Sequence, residues 1–152
     1  MLKNVYDNQM KLEFESNANN ESLARIAVAA FVAPLDPTIE EISDIKTAVS
    51  EAVTNSIIHG YEEKEGKVIV ECKIFANFLE ITISDNGKGI EDIKKAREPL
   101  YTTKSELERS GMGFTIMESF MDEVHIDSIP NEGTKISMKK MLNTQRSCLC
   151  TK

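Results

Sequence analysis

The chain has 152 residues, a formal net charge of −7, 41% apolar residues and 28% charged residues. That length suits one domain with a real core, and the composition is ordinary for a soluble globular protein. The acidic balance argues against broad, non-specific binding to nucleic acid. No apolar run reaches the length of a membrane span, and MLKNVYDNQM lacks the apolar stretch of a secretion signal.

Of the three cysteines, Cys148 and Cys150 fall in the polar tail NTQRSCLCTK, without the further ligands a zinc site needs. An odd cysteine count without a secretion signal points to reduced thiols and a cytoplasmic protein. The expected organisation is one domain over 1–142 followed by a polar tail over 143–152.

In chain order, Met10, Leu12 and Phe14 alternate with polar residues and predict a strand near 9–16. NNESLARIAVAAFVAPL predicts a helix with Asn20 as N-cap, an apolar face of Leu23, Ile26, Ala27, Ala30 and Phe31, and Pro34 as its stop. A second helix opens at DPTIEE. Either Asp36 caps it with Pro37 in the first turn, or Thr38 and Glu41 form a capping box. It runs to Gly60 with an apolar stripe of Ile39, Ile42, Ile45, Val49, Ala52, Val53 and Ile57.

KVIVECKIF and NFLEITIS predict a hairpin, and IEDIKKARE a short helix. The segment from Pro99 to Ser110 has no period. GMGFTIMESFMDE is helical, and VHIDSI and GTKISMKKML form a second hairpin around PNEG. Strands that arrive as hairpins predict an α+β fold, a two-layer sandwich whose mixed, mostly antiparallel sheet is backed by helices.

Four motifs carry chemistry. In EAVTNSIIHGY, Glu51 and Asn55 are four residues apart and share a helix face away from the apolar stripe. A carboxylate there suits a general base, and an amide oxygen suits a shared Mg²⁺ ligand. SDNGKGI puts Asp85 at a strand end, where it can accept from an exocyclic amine, with Gly87 and Gly89 leaving room for a ligand.

The long irregular segment EPLYTTKSELERS carries Thr102, Thr103, Lys104 and Arg109, all able to donate hydrogen bonds to phosphate. It runs into Gly111 and Gly113 at a helix start, where free N–H groups favour an anion. Two look-alikes fail. GYEEKEGKV has the wrong glycine spacing for a P-loop, and DNGKGIED lacks the ligands and glycine of a calcium loop. Neither His59 nor His125 has the partners of a catalytic triad; a helix end and a strand surface account for them.

Taken in order, E-x-x-x-N, D-x-G-x-G, a long loop and G-x-G resemble the GHKL superfamily of ATPases and kinases. Glu51–Asn55 matches its N box, Asp85–Gly89 its first glycine box, roughly 96–110 its ATP lid, and Gly111–Gly113 its second glycine box. Gly133–Thr134 matches the late GT beside the adenine. The resemblance implies the superfamily's Bergerat-type sandwich.

NESLARIAVAAFVAPLDPT, VSEAVTNSIIHGY and PLYTTKSELERSGMGFTIMESFMDEV are similar to the anti-sigma-F family of endospore-forming bacteria, a likeness that covers about 10 to 142. It implies a homodimeric serine-protein kinase that binds ATP or ADP with Mg²⁺, inhibits a sporulation sigma factor and phosphorylates an anti-anti-sigma protein. In that reading Glu51 is the base, Asn55 the metal ligand, and Asp85 and Thr134 serve the adenine end. Thr102, Thr103, Lys104 and Arg109 reach the phosphates, Gly87, Gly89, Gly111 and Gly113 leave the nucleotide room, and Arg25 faces a partner.

The alternatives are a paralogous kinase for a stress-response sigma factor, a water-attacking ATPase, a sensor histidine kinase, and a sequestering module without catalysis.

Overall fold

The computed structural model describes residues 6–62, 64–76, 78–97 and 113–142. Within these residues five strands form one sheet: β1 (Asn8–Glu15), β2 (Lys67–Ile74), β3 (Phe78–Asp85), β4 (Glu123–Ile129) and β5 (Gly133–Met141). Their order across the sheet is β1-β2-β3-β5-β4, and every pairing is antiparallel. The expected mixture is therefore resolved in favour of a wholly antiparallel sheet, because each neighbour pair is either a hairpin or a return across the layer.

Among the described residues four α-helices accompany the sheet: α1 (Asn20–Val32), α2 (Ile39–Thr54), α3 (Ile93–Arg97) and α4 (Gly113–Phe120). The two-residue period of the strands sends Val68, Val70, Cys72, Leu79, Ile81, Ile83, Ile136 and Met138 to one face, where they are buried. Glu71, Lys73, Glu80 and Thr82 take the half-exposed opposite face. Helix α2 meets the buried layer with Ile45, Ala48, Val49, Ala52 and Val53, and it packs against both α1 and α4. Apolar area removed from water, at roughly 25 cal/mol per Å², drives this two-layer closure.

The start of α2 follows the capping-box alternative. Glu41 N–H donates to Thr38 Oγ1 at 3.0 Å, and Thr38 N–H donates to Glu41 Oε1 at 2.8 Å. Asp36 instead adopts a left-handed conformation, φ 53°, at the end of a 3₁₀ turn over Ala33–Leu35. Thr38→Ala is expected to lower stability by about 1 kcal/mol in denaturant unfolding, since it orphans an exposed helix-start N–H and touches no core.

Helix α1 departs from expectation twice. Asn20 is its first residue rather than its cap, and the Asn20 amide donates back to Glu15 O at 2.9 Å. Its buried face is Ala24, Val28 and Val32, while Leu23 and Ile26 are exposed at 46% and 62%. The small Ala24 and the valines let α1 lie close against α2. In α2 the stripe holds from Ile42 onward, but Ile39 is 88% exposed because it lies in the first turn, beyond the sheet.

Candidate functional site

Helix α2 ends at Thr54, and the chain continues as a π-helical turn over Asn55–Gly60, closed by Tyr61 N–H on Ser56 O at 3.2 Å. This wider turn stands where the sequence predicts plain α-helix to Gly60. Such turns are uncommon and are frequent at functional sites. Here it turns Asn55, Ser56, His59 and Gly60 toward a cleft of about 480 Å³. Asp85, Gly89, Ile90, Gly113, Phe114, Thr134 and Ile136 are among its other lining residues. That volume is in the range that holds a small ligand.

Asp85 sits on the cleft floor for a reason visible in the strand period. Leu79, Ile81, Ile83 and Asp85 alternate onto the inner face of β3, so its last inward position carries a carboxylate instead of an apolar side chain. Register then sets Thr134 of β5 directly opposite. Burial pushes the Asp85 carboxyl above its usual range, opposed by hydrogen bonds from Gly87 N–H, the Ser56 hydroxyl and Thr134 N–H. The first of these measures 2.9 Å to Oδ1. No salt bridge among the described residues involves Asp85. A buried carboxylate held only by neutral donors keeps acceptor capacity for a ligand.

The turn after Asp85 is consumed by the protein itself. Asn86 N–H donates to Tyr61 Oη at 2.8 Å, Lys88 N–H to Gly60 O at 2.8 Å, and Ile90 N–H to Ser128 Oγ at 2.7 Å. Asn131 N–H closes on Lys88 O at 2.5 Å. These N–H groups are therefore not an anion cradle; the turn braces Asp85.

The missing side chains likewise first make room for the protein's own chain. A Cβ on Gly87 would lie 2.1 Å from Gly60 O, and one on Gly89 (φ +75°) would lie 2.3 Å from Ile129 O. Lys88, on the rim, is ion-paired with Glu62.

Asn55 lines the cleft, and its buried Nδ2 has no hydrogen-bond partner among the described residues. An orphaned donor on a cleft wall is a group that a ligand oxygen satisfies. Among the described residues there is no cluster of three or more His, Cys, Asp or Glu side chains able to hold a metal. A divalent ion here would take the Asn55 carboxamide oxygen and draw its remaining oxygens from a bound phosphate and water, the usual pattern for Mg²⁺.

Glu51 is half-buried on α2, one turn before Asn55, and is not among the lining residues. Gly113 is buried in the cleft wall at the start of α4.

The structure thus brings Asn55, Asp85, Gly89, Gly113 and Thr134 together at one cleft, with Gly87 behind the floor and Glu51 a turn away. Arg25 lies elsewhere, half-exposed on α1 beside Glu21 at 3.7 Å. Thr102, Thr103, Lys104, Arg109 and Gly111, like Cys148 and Cys150, lie outside the described residues.

Sequence reasoning passed over Ser56, Tyr61 and Ser128. Ser128 faces Thr134 in the β4–β5 register, 2.9 Å between hydroxyl oxygens. Its position opposite the GT pair was the one signal available. His59, assigned to a helix end, also lines the cleft.

The family model for the histidine kinase-like ATPase domain matches residues 14–140. An anti-sigma F factor of Clostridium kluyveri is 60% identical over 140 residues, covering 92% of this chain and 99% of its own. One from Clostridium perfringens (strain SM101 / Type A) is 63% identical over 139 residues, covering 91% and 99%.

Among solved structures, the RsbU and RsbW domains of a Mycobacterium tuberculosis protein superpose with a TM-score of 0.63 at 18% identity, over 89% of this chain and 32% of that one. The catalytic domain of the histidine kinase ThkA gives 0.54 at 15% identity, over 88% and 97%. The structural likenesses show a shared fold. Identity near 60% over almost the whole chain goes further: the protein belongs to the histidine kinase-like ATPase domains and, within them, to the anti-sigma F factor family.

Proposed function

We propose that the chain is an ATP-dependent serine-protein kinase and anti-sigma factor. It binds and inhibits a sporulation sigma factor, and it phosphorylates a serine of an anti-anti-sigma partner. The observation that carries the nucleotide site is Asp85, a buried carboxylate held only by neutral donors at the floor of a cleft lined by Asn55, Gly113 and Thr134. The family membership carries the partners.

Asp85 accepts from the 6-amino group of adenine, with Thr134 beside it on the same inner face. Asn55 would hold Mg²⁺, which would supply neutralisation of the phosphate charge. Glu51 takes the proton of the incoming serine hydroxyl. The serine oxygen bonds to the γ-phosphorus as the bond to the β–γ bridging oxygen breaks, releasing ADP. Positioning and charge neutralisation supply most of the rate in such transfers. Thr102, Thr103, Lys104, Arg109 and Gly111 serve the phosphate end together with Gly113 at the start of α4, while Gly87 and Gly89 serve the adenine end indirectly, by letting the turn beneath Asp85 pack against Gly60 and Ile129.

The exposed Leu23 and Ile26 of α1, beside Arg25, support a partner-facing role for that helix. They fit a homodimer whose edge presents Arg25 to the sigma factor. Among the described residues no helix is long and apolar enough to cross a membrane. The reading places the protein in the cytoplasm, without direct contact to nucleic acid.

The test is sigma-factor affinity with ATP and with ADP, followed by phosphate transfer from labelled ATP to the anti-anti-sigma protein. The expected result is tighter sigma binding with ATP and a phosphoserine on the partner. Equal sigma affinities and no transfer would leave a nucleotide-binding protein of another kind.

A further inference from the structure

Tyr61 is not itself among the cleft-lining residues, but it ties together the two segments, Asn55–Gly60 and the turn after Asp85, that carry several of them. It directly follows the π-helical turn that carries Asn55 and His59, and it is 8% exposed. Its hydroxyl reaches two backbone groups from distant stretches. Oη donates to Lys67 O at 2.5 Å and accepts from Asn86 N–H at 2.8 Å. The directions are forced. A carbonyl can only accept and an N–H can only donate, so the single phenolic proton goes to Lys67 and a lone pair takes Asn86.

The ring itself is seated against Gly66, where a Cβ would come within 2.2 Å of Tyr61 Cε1. Gly66 N–H in turn donates to Ser16 Oγ at 3.0 Å. The phenol therefore does not float in the core. Its seat and both of its hydrogen-bond partners are specified, and one partner is the residue immediately after Asp85.

We propose that Tyr61 is a positioning residue of the nucleotide site, locking the end of the Asn55–Gly60 turn to the Asp85–Ile90 turn through Asn86 N–H. It rests on the nucleotide reading above and adds how the adenine-reading and metal-holding elements keep their relative place. Ser128 is the matching grip at the far end of the same turn, through Ile90 N–H at 2.7 Å. With Tyr61 and Ser128 in place, the turn is held at its first and last N–H groups before any ligand arrives. That preorganisation saves ordering cost on binding.

The test compares wild type, Tyr61→Phe, Ser128→Ala and the double variant by ATP titration calorimetry, thermal melts, and KM and kcat for ATP. Tyr61→Phe is expected to raise the ATP Kd and KM by about tenfold, because it removes both hydrogen bonds of the hydroxyl and with them the tie to Asn86 N–H, with kcat at saturating ATP unchanged. Incorporating p-aminophenylalanine at 61, which can again both donate and accept, restores the affinity. The double variant loses less than the product of the two single losses, because both grips serve one turn.

A lower Tm with unchanged ATP Kd below the transition would overturn the proposal and leave Tyr61 a core residue. Should Tyr61→Phe fail to fold, Ser128→Ala decides alone: a raised Kd supports the gripped turn, and an unchanged Kd overturns it. Absence of ATP binding by the wild type would overturn the nucleotide reading itself, which a wild type that binds and a Tyr61→Phe variant of equal affinity would leave standing.

Discussion

Asp85→Asn is expected to reduce ATP and ADP affinity by roughly 10- to 100-fold, the scale of losing a buried hydrogen bond to a charged acceptor, while leaving the protein folded. The substitution keeps the shape. The carboxamide oxygen of the new side chain can still accept from Gly87 N–H, and the Ser56 hydroxyl can turn to accept from the new amide.

Stability should rise at neutral pH rather than fall. Burial raises the Asp85 pKa in the folded state, so the native protein keeps its proton over a range in which the unfolded chain has already released it. The native state binds more protons there, and stability is lost as pH rises through that range. Above it, the ionised Asp85 is a standing cost that the neutral amide removes.

The measurement is calorimetric affinity together with denaturant and thermal midpoints across roughly pH 4 to 7, the span above an ordinary carboxylate pKa. The variant should show a flatter pH profile and an equal or higher Tm. A fall of several degrees alongside lost binding would make Asp85 a structural residue. The expected trade, stability against binding, is the common signature of a functional carboxylate in an apolar setting.

Glu51→Gln is the second large effect. The two side chains are nearly isosteric, so helix α2 and the buried stripe of Val49, Ala52 and Val53 are undisturbed. The capacity to take a proton is lost. Phosphate transfer to the partner serine should fall by roughly 10²- to 10⁴-fold, the usual contribution of a positioned base.

ATP affinity should change by less than about twofold, because Glu51 stands a turn away from the cleft-lining Asn55. Sigma-factor binding should persist, so the variant separates sequestration from transfer. Retained transfer would remove Glu51 from the chemistry. A parallel loss of ATP affinity would reassign it to binding the nucleotide or its ion.

Much of the site is legible in the sequence, because the decisive signals are local and periodic. Two-residue alternation in FLEITISD puts Asp85 on the same face as Leu79, Ile81 and Ile83, which is why it is buried. Four-residue spacing sets Asn55 one turn after Glu51, and the Thr38–Glu41 pairing announces the helix start.

Apolar periodicity is less informative in α1. NESLARIAVAAFV is apolar around most of its circumference, so pattern alone cannot say which stripe meets the core. The sequence favours the bulkier Leu23, Ile26 and Phe31, whereas contact with α2 selects the smaller Ala24, Val28 and Val32, which allow closer approach.

Element order, the hairpin-built α+β class, the motif residues and the family are thus all written along the chain. Each depends on spacing within a short window or on a pattern spread over the whole length. Packing in three dimensions was needed to widen the end of α2 into a π turn at Asn55, to bring the Ser56 hydroxyl onto Asp85, and to make the glycines clear space for Gly60 and Ile129. It was needed, too, for Tyr61 and Ser128 to hold the two ends of one turn. Those two grips join residues 25 and 38 positions apart. Nothing local in the chain encodes them, because they exist only once burial in the sheet and α2 has brought the segments together.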